Sequence, residues 1–85
     1  MTFIDILTTV VGIVMGCANF PQAYRIFKKK RSESISLITY SLLLFGSIVW
    51  IVYGIEKSSF PIIISNIIGV ISISLVIFLT FKYRT

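Results

Sequence analysis

The chain has 85 residues, of which 56% are hydrophobic and 13% charged, with a formal net charge of +5, one cysteine and no histidine. Soluble domains carry about 25% charged residues, roughly twice this share. One cysteine excludes an internal disulfide, the lack of histidine excludes a His-based triad, and the three acids lie outside the apolar runs, so the common transition-metal constellations are excluded too. No enzyme activity, metal or cofactor is expected.

The charges are clumped. Asp5 and Arg25 enclose 19 uncharged residues, Glu33 and Glu56 enclose 22, and Lys57 and Lys82 enclose 24. A bilayer core takes about 20 apolar residues as a helix. The pattern predicts an all-α membrane protein: one domain, residues 1–85, of three transmembrane helices from Ile4 to Phe27, Ile35 to Ile55 and Phe60 to Phe81. Isoleucine and valine favour strand in water, but in lipid a single segment must satisfy its own backbone and becomes a helix.

The first run has no basic n-region and no A-x-A-like site, so it reads as a retained span rather than a signal peptide. It contains Cys17, expected as a small hydrophobe, and Gly12 and Gly16 in GIVMG, a small-xxx-small helix-packing pattern. Gly46, Gly54 and Gly69 read the same way. The run ends in CANFPQAYRIFKKKR, with Pro21 and Gln22 inside the apolar stretch. A proline there removes a backbone donor and crowds the preceding turn, so the helix must bend or break. The loop KKKRSES follows, then the second run with Trp50, then the turn EKSS. Pro61 falls in the first turn of the third run, where its missing N–H costs nothing, and Ser58 or Ser59 is the candidate N-cap. Ser65, Ser72 and Ser74 are expected to bond back onto their own helix, with no further role.

Arg25, Lys28, Lys29, Lys30, Arg31, Lys82 and Arg84 fall on one side of these spans and Lys57 alone on the other. The positive-inside rule then puts the KKKR loop and the C-terminus in the cytoplasm, and the N-terminus and the EKSS turn outside, in the cell (inner) membrane. Membrane topology thus accounts for the basic excess, and no nucleic acid is implied. Three helices leave no room for a solute path between them, so a route needs a second copy. Copies sharing one charge bias insert the same way up, as a parallel homodimer.

Polar groups inside the membrane are the candidate functional residues. Asn19 and Asn66 are the amides and Trp50 the only tryptophan. Helix 2 runs outward and helix 3 inward, which puts Trp50 and Asn66 at one depth, roughly 7–9 Å below the outer helix ends at 1.5 Å per residue. An aromatic face and an amide at one level suit a sugar: its C–H face packs on the ring, and its hydroxyls meet a donor and an acceptor. On spacing alone Trp50 also fits an interfacial belt, and Asn66 an interhelical bond.

The ordered set FPQ (Phe20 to Gln22), WIVYG (Trp50 to Gly54) and FPIIISN (Phe60 to Asn66), with the basic loop between the first two, resembles the bacterial SemiSWEET sugar transporters, half-size members of the PQ-loop group. The resemblance covers essentially the whole chain. It implies a three-helix bundle in the order 1-3-2, with the third helix between the first two. It also implies a parallel homodimer with the sugar on the two-fold axis, flanked by Trp50 and hydrogen-bonded by Asn66. Pro21 and Gln22 match the motif that bends the first helix as a hinge, with Gln22 a plausible donor to the carbonyl the proline frees. The family's outer gate combines a tyrosine, an arginine and an aspartate; the matching residues are Tyr53, Lys57 and Ser59, so the aspartate is absent and Glu56 is the candidate carboxylate for Lys57. Leu43 stands where relatives often have phenylalanine, and Leu42 and Leu43 are the candidate inner gate.

The resemblance implies facilitated diffusion (uniport) of mono- or disaccharides by alternating access. No acidic or basic side chain lies between the charges that bound each of the three runs, so none is there to couple flux to protons. The rival readings are a PQ-loop carrier of another small solute such as an amino acid, and a non-transporting membrane interaction protein.

Overall fold

In a computed structural model that describes residues 2–32 and 35–83, every regular element is helical. The helices are α1 (Phe3–Gly16), α2 (Asn19–Lys29), α3 (Leu37–Glu56) and α4 (Phe60–Lys82). α1 and α2 form one apolar span of 27 residues, and α3 and α4 form the second and third, of 20 and 23 residues. At 1.5 Å per residue each is long enough for the roughly 30 Å hydrocarbon core. Glu33 and Arg84, which entered the charge reading, lie outside the described residues.

Local chemistry sets the helix ends. Thr2 Oγ1 accepts from Asp5 N–H and Asp5 Oδ2 accepts from Thr2 N–H, both at 3.1 Å, a capping box that starts α1. Ser36 Oγ accepts from Thr39 N–H at 3.2 Å, so α3 starts at Leu37, two residues later than hydropathy predicts. α3 ends in a Schellman turn: Ser59 N–H reaches Gly54 O at 2.8 Å and Ser58 N–H reaches Ile55 O at 3.2 Å, with Ser58 left-handed at φ 52°. Ser59 is the residue before α4, and Pro61 sits in that helix's first turn.

α4 packs against α1, α2 and α3, which places the third span between the other two as the 1-3-2 order requires. Its buried residues run nearly its whole length, from Pro61 through Gly69, Ser72, Ile73 and Val76 to Thr80. α1 has no buried residue and α3 only Gly54. Glycines let the flanking spans approach. A Cβ on Gly12 would lie 2.6 Å from Ser65 Cβ, one on Gly16 3.0 Å from Ser65 O, and one on Gly54 2.9 Å from Ile62 Cγ2. Gly46 departs from that reading: a Cβ there meets nothing within 4 Å, so it makes no close approach in the chain.

The bundle is thin, with principal extents of 46 × 20 × 14 Å. Most large apolar side chains are exposed, as suits a bundle solvated by lipid. At the charged end Ala23 and Ile26 of α2 are buried with Val76 and Leu79 of α4. Ser32 Oγ lies 3.2 Å from Thr80 O and 3.0 Å from Tyr83 O, which ties the basic loop to the end of α4. The loop lysines and Lys82 therefore share one end of the molecule.

Gly12→Leu should lower stability by about 1–3 kcal/mol through overpacking against Ser65. Gly46→Ala should leave it unchanged or raise it, since alanine is the better helix former. Thermal unfolding of the detergent-purified protein checks both.

Candidate functional site

The first span is interrupted at Cys17 and Ala18, one turn before Pro21. The turn lies within one span of 27 residues, Cys17 and Ala18 both keep right-handed helical backbone, and the local hydrogen bonds explain its position. Pro21 is the third residue of α2, where a missing N–H is tolerated. The Cys17 carbonyl, which a residue 21 N–H would otherwise approach, accepts from Phe20 N–H at 3.0 Å. That tightened turn takes the Phe20 donor away from the Gly16 carbonyl. Ser72 of α4 replaces it, donating from Oγ to Gly16 O at 2.8 Å, with Gly69 O at 3.1 Å as its alternative acceptor. Asn19 Nδ2 donates in turn to Ser72 Oγ at 3.5 Å. The serine thus has a role beyond its own helix, contrary to expectation, whereas the Cys17 carbonyl, for which Gln22 was the candidate donor, is satisfied by Phe20 N–H. Ser65 behaves as expected, donating to Pro61 O at 2.7 Å.

This junction floors a cleft of about 340 Å³ between the first and second spans. Gly12, Gly16 and Asn19 come from one wall, Leu43 and Ser47 from the other, and Asn66 and Gly69 from α4 beneath. No lining residue is charged. Asn66 is half-buried, and its Nδ2 donates to Ile62 O at 2.8 Å, which orients the amide along α4.

The register between α3 and α4 locates Trp50. Ser47 stands against Gly69, with its Oγ 3.6 Å from a Cβ built there, and Gly54 stands against Ile62. Midway between these antiparallel contacts, residue 50 is level with residue 66, so the structure puts Trp50 and Asn66 at one depth. Leu43, Ser47, Trp50 and Gly54 follow one another at helical spacing along one stripe of α3. Trp50 is 53% exposed and stands one turn from Ser47 on the side away from the basic loop, at the rim of the cleft rather than within its lining. Its ring meets Tyr53 edge to face, 5.4 Å between centroids and 84° between planes. Lys57 Nζ lies 5.9 Å from the Tyr53 centroid, within cation–π range. Trp50, Tyr53 and Lys57 therefore form a ladder toward the end away from the basic loop.

A second, smaller cleft of about 310 Å³ opens at that end, lined by Asp5, Lys57, Ser58, Ser59, Phe60 and Pro61. The carboxylate in it is Asp5 of α1. Glu56, the sequence candidate, is exposed and outside this lining. Nearer the basic end the two leucines separate: Leu43 lines the central cleft, whereas Leu42 is 66% exposed and outside it. Pro21 is exposed and Gln22 half-buried, and neither lines the cleft. Asn19, noted in the sequence only as an intramembrane amide, lines the cleft, as do Ser47 and Ser65, to which sequence reading assigned no functional role. Their polarity in an apolar run was visible, but which way they face was not.

Three apolar spans, with a cleft between them that no charged residue lines, are the build of a polytopic membrane protein. A family model described as "Sugar efflux transporter for intercellular exchange" matches residues 2–85, and the chain belongs to that family. Among its relatives, the sugar transporter SemiSWEET of Escherichia coli (strain UMEA 3162-1) is 40% identical over 48 residues, 56% of this chain and 54% of that protein. The chain's match therefore spans about half the length of that relative. The sugar transporter SemiSWEET of Leptospira biflexa serovar Patoc is 31% identical over 58 residues, 68% of each chain. The bidirectional sugar transporter N3 of Medicago truncatula is 31% identical over 91% of this chain, which is 29% of that protein. The crystal structure of a bacterial homologue of SWEET transporters superposes with a TM-score of 0.92 at 29% identity, over 96% of this chain and 99% of that one.

Ser72→Ala removes the donor to Gly16 O and should cost about 1–2 kcal/mol of stability, toward the upper end for a membrane interhelical bond because a buried carbonyl is left bare. Ser74, which is exposed, serves as the control: Ser74→Ala should leave thermal unfolding unchanged.

Proposed function

We propose that the protein carries mono- or disaccharides across the cell membrane by facilitated diffusion, as a parallel homodimer whose two clefts face each other across the two-fold axis. The observation that carries this reading is the uncharged cleft itself, with Asn19, Ser47 and Asn66 on its surface and Trp50 level with Asn66 at its rim. Amides and a hydroxyl match the alternating donors and acceptors of a polyol, and the indole face matches its C–H surface. A zwitterion such as an amino acid favours charged groups or helix ends, and the lining has no charge. One chain leaves the cleft open along a slab 14 Å deep, so a second copy has to close it. Two facing clefts enclose a space within the usual range for small-molecule sites.

Trp50 and Asn66 are the sugar contacts in this account. Tyr53 and Lys57 guard the outer mouth, Leu43 narrows the inner side, and the interrupted first span around Pro21 and Gln22 is the hinge. α2 is not loose: Ala23 and Ile26 are buried against Val76 and Leu79, so it moves together with the inner half of α4. The lysines at one end of the bundle set the orientation, with the basic loop and the C-terminus cytoplasmic.

Counterflow of radiolabelled glucose and sucrose in proteoliposomes tests the reading. Wild type should exchange at least one of them, and Trp50→Ala, still dimeric, should lose about tenfold or more, the equivalent of roughly 1.4 kcal/mol of contact. A pH gradient alone should drive no accumulation, because no titratable group lines the cleft. Amino-acid exchange without sugar exchange would replace the cargo, and exchange of neither would favour a non-transporting role.

A further inference from the structure

The two walls of the central cleft end, at the outer side, in opposite charges. On α1, Asp5, Gly12 and Gly16 share one face at spacings of seven and four residues. Gly12 and Gly16 of that face line the central cleft, and Asp5 continues it outward into the cleft above. On α3, Leu43, Ser47, Trp50 and Gly54 continue at the same spacing to Lys57, the residue that caps the helix. The register agrees. The offset that sets Gly12 against Ser65 of α4 sets Asp5 level with the turn that carries Lys57. Asp5 and Lys57 then line the same outer space of about 310 Å³.

Asp5 is half-buried there and Lys57 exposed. One carboxylate oxygen, Oδ2, is taken by the Thr2 N–H, which fixes the side chain in place and leaves Oδ1 for a second partner. The ammonium is parked over the Tyr53 ring, a mobile point charge on a flexible stem. The left-handed Ser58 and the Schellman turn hold the base of that stem.

We infer that Asp5 is the counter-charge of Lys57: when the outer mouth closes, Lys57 leaves the Tyr53 ring and pairs with the Asp5 carboxylate of the same chain, latching the two cleft walls together. Asp5 is thus a gate residue supplied by the first span. It replaces a carboxylate in the turn, where this chain has Ser59, and Glu56 takes no part. The inference rests on the alternating-access reading but not on the identity of the cargo.

The test places a reporter, Ser47→Cys, in the cleft of a Cys17→Ala background and measures its labelling by a membrane-impermeant maleimide in intact cells. Asp5→Lys and Lys57→Asp should each hold the mouth open and raise the labelling rate by about three- to tenfold, the range for a pair at a partly screened site. The double swap should return it close to the parent rate. Asp5→Asn keeps an oxygen for the Thr2 N–H and removes only the charge. It should raise labelling as far as Lys57→Gln does, with no further rise when the two are combined, so the pairing is measured even where a reversed charge impairs folding. Additive effects in the neutral pair, a double swap that labels as fast as the faster single, or a rise with Glu56→Gln matching that of Asp5→Asn would each overturn the inference. Labelling needs no sugar. Coupled labelling without sugar exchange would leave the latch standing and remove the sugar reading, whereas sugar exchange with additive labelling would do the reverse.

Discussion

The Gly16 carbonyl is the point on which the rest of the structure turns. Within a bilayer no water is available to satisfy a backbone group, so every carbonyl needs a donor from the protein. Pro21 contributes none, the Phe20 N–H shifts to Cys17, and Gly16 is left bare until Ser72 reaches across from α4. That one hydrogen bond lets the first span change direction at mid-membrane without leaving a polar atom facing lipid. It also sets the rotation and depth of α4 against the first span. Asn19 is drawn into the same junction through Ser72 and comes to line the cleft.

The glycines extend this constraint outward. With Gly12 and Gly16 against Ser65 and Ile68, and Gly54 against Ile62 and Ile63, both flanking spans come close to α4. A central helix approached closely on two sides yields a shallow trough rather than an enclosed channel. Asn66 of the trough donates to the Ile62 carbonyl of its own helix and keeps further capacity for a ligand. Packing and function thus share residues: the small side chains that permit close approach also make the space, and the serine that mends the backbone helps to place an amide in it.

How much of this was legible in the sequence follows from what each kind of residue signals. The spans, their order of charges and the outer turn were readable because charge spacing and helix rise are fixed quantities. The shared depth of Trp50 and Asn66 was readable for the same reason, since it needs only the rise per residue and an antiparallel turn. Rotation about the helix axis was not readable. Helices that are apolar all round carry little periodic signal, so Leu42 and Leu43 looked equivalent, and only the structure puts Leu43 in the cleft and leaves Leu42 outside. Ser72 was indistinguishable from Ser65, although one bonds across to Gly16 and the other back to Pro61. Asp5 read as a terminal charge because its neighbour in space, Lys57, is remote in sequence. The family resemblance found the motifs and also the departure from them, since the turn has Ser59 where the family's gate has an aspartate.

The central claim is that the trough beside Trp50 and Asn66 receives a sugar. Trp50 is the chain's single tryptophan and stands at the rim, so the protein carries its own label. The most direct measurement is its intrinsic fluorescence as the purified protein is titrated with glucose and with sucrose. The account predicts a saturable change for at least one of them in the wild type, and a loss of that saturation in Asn66→Ala, whose tryptophan is untouched. A flat response to both sugars from the folded protein, or a saturable response that Asn66→Ala leaves unaltered, would contradict it.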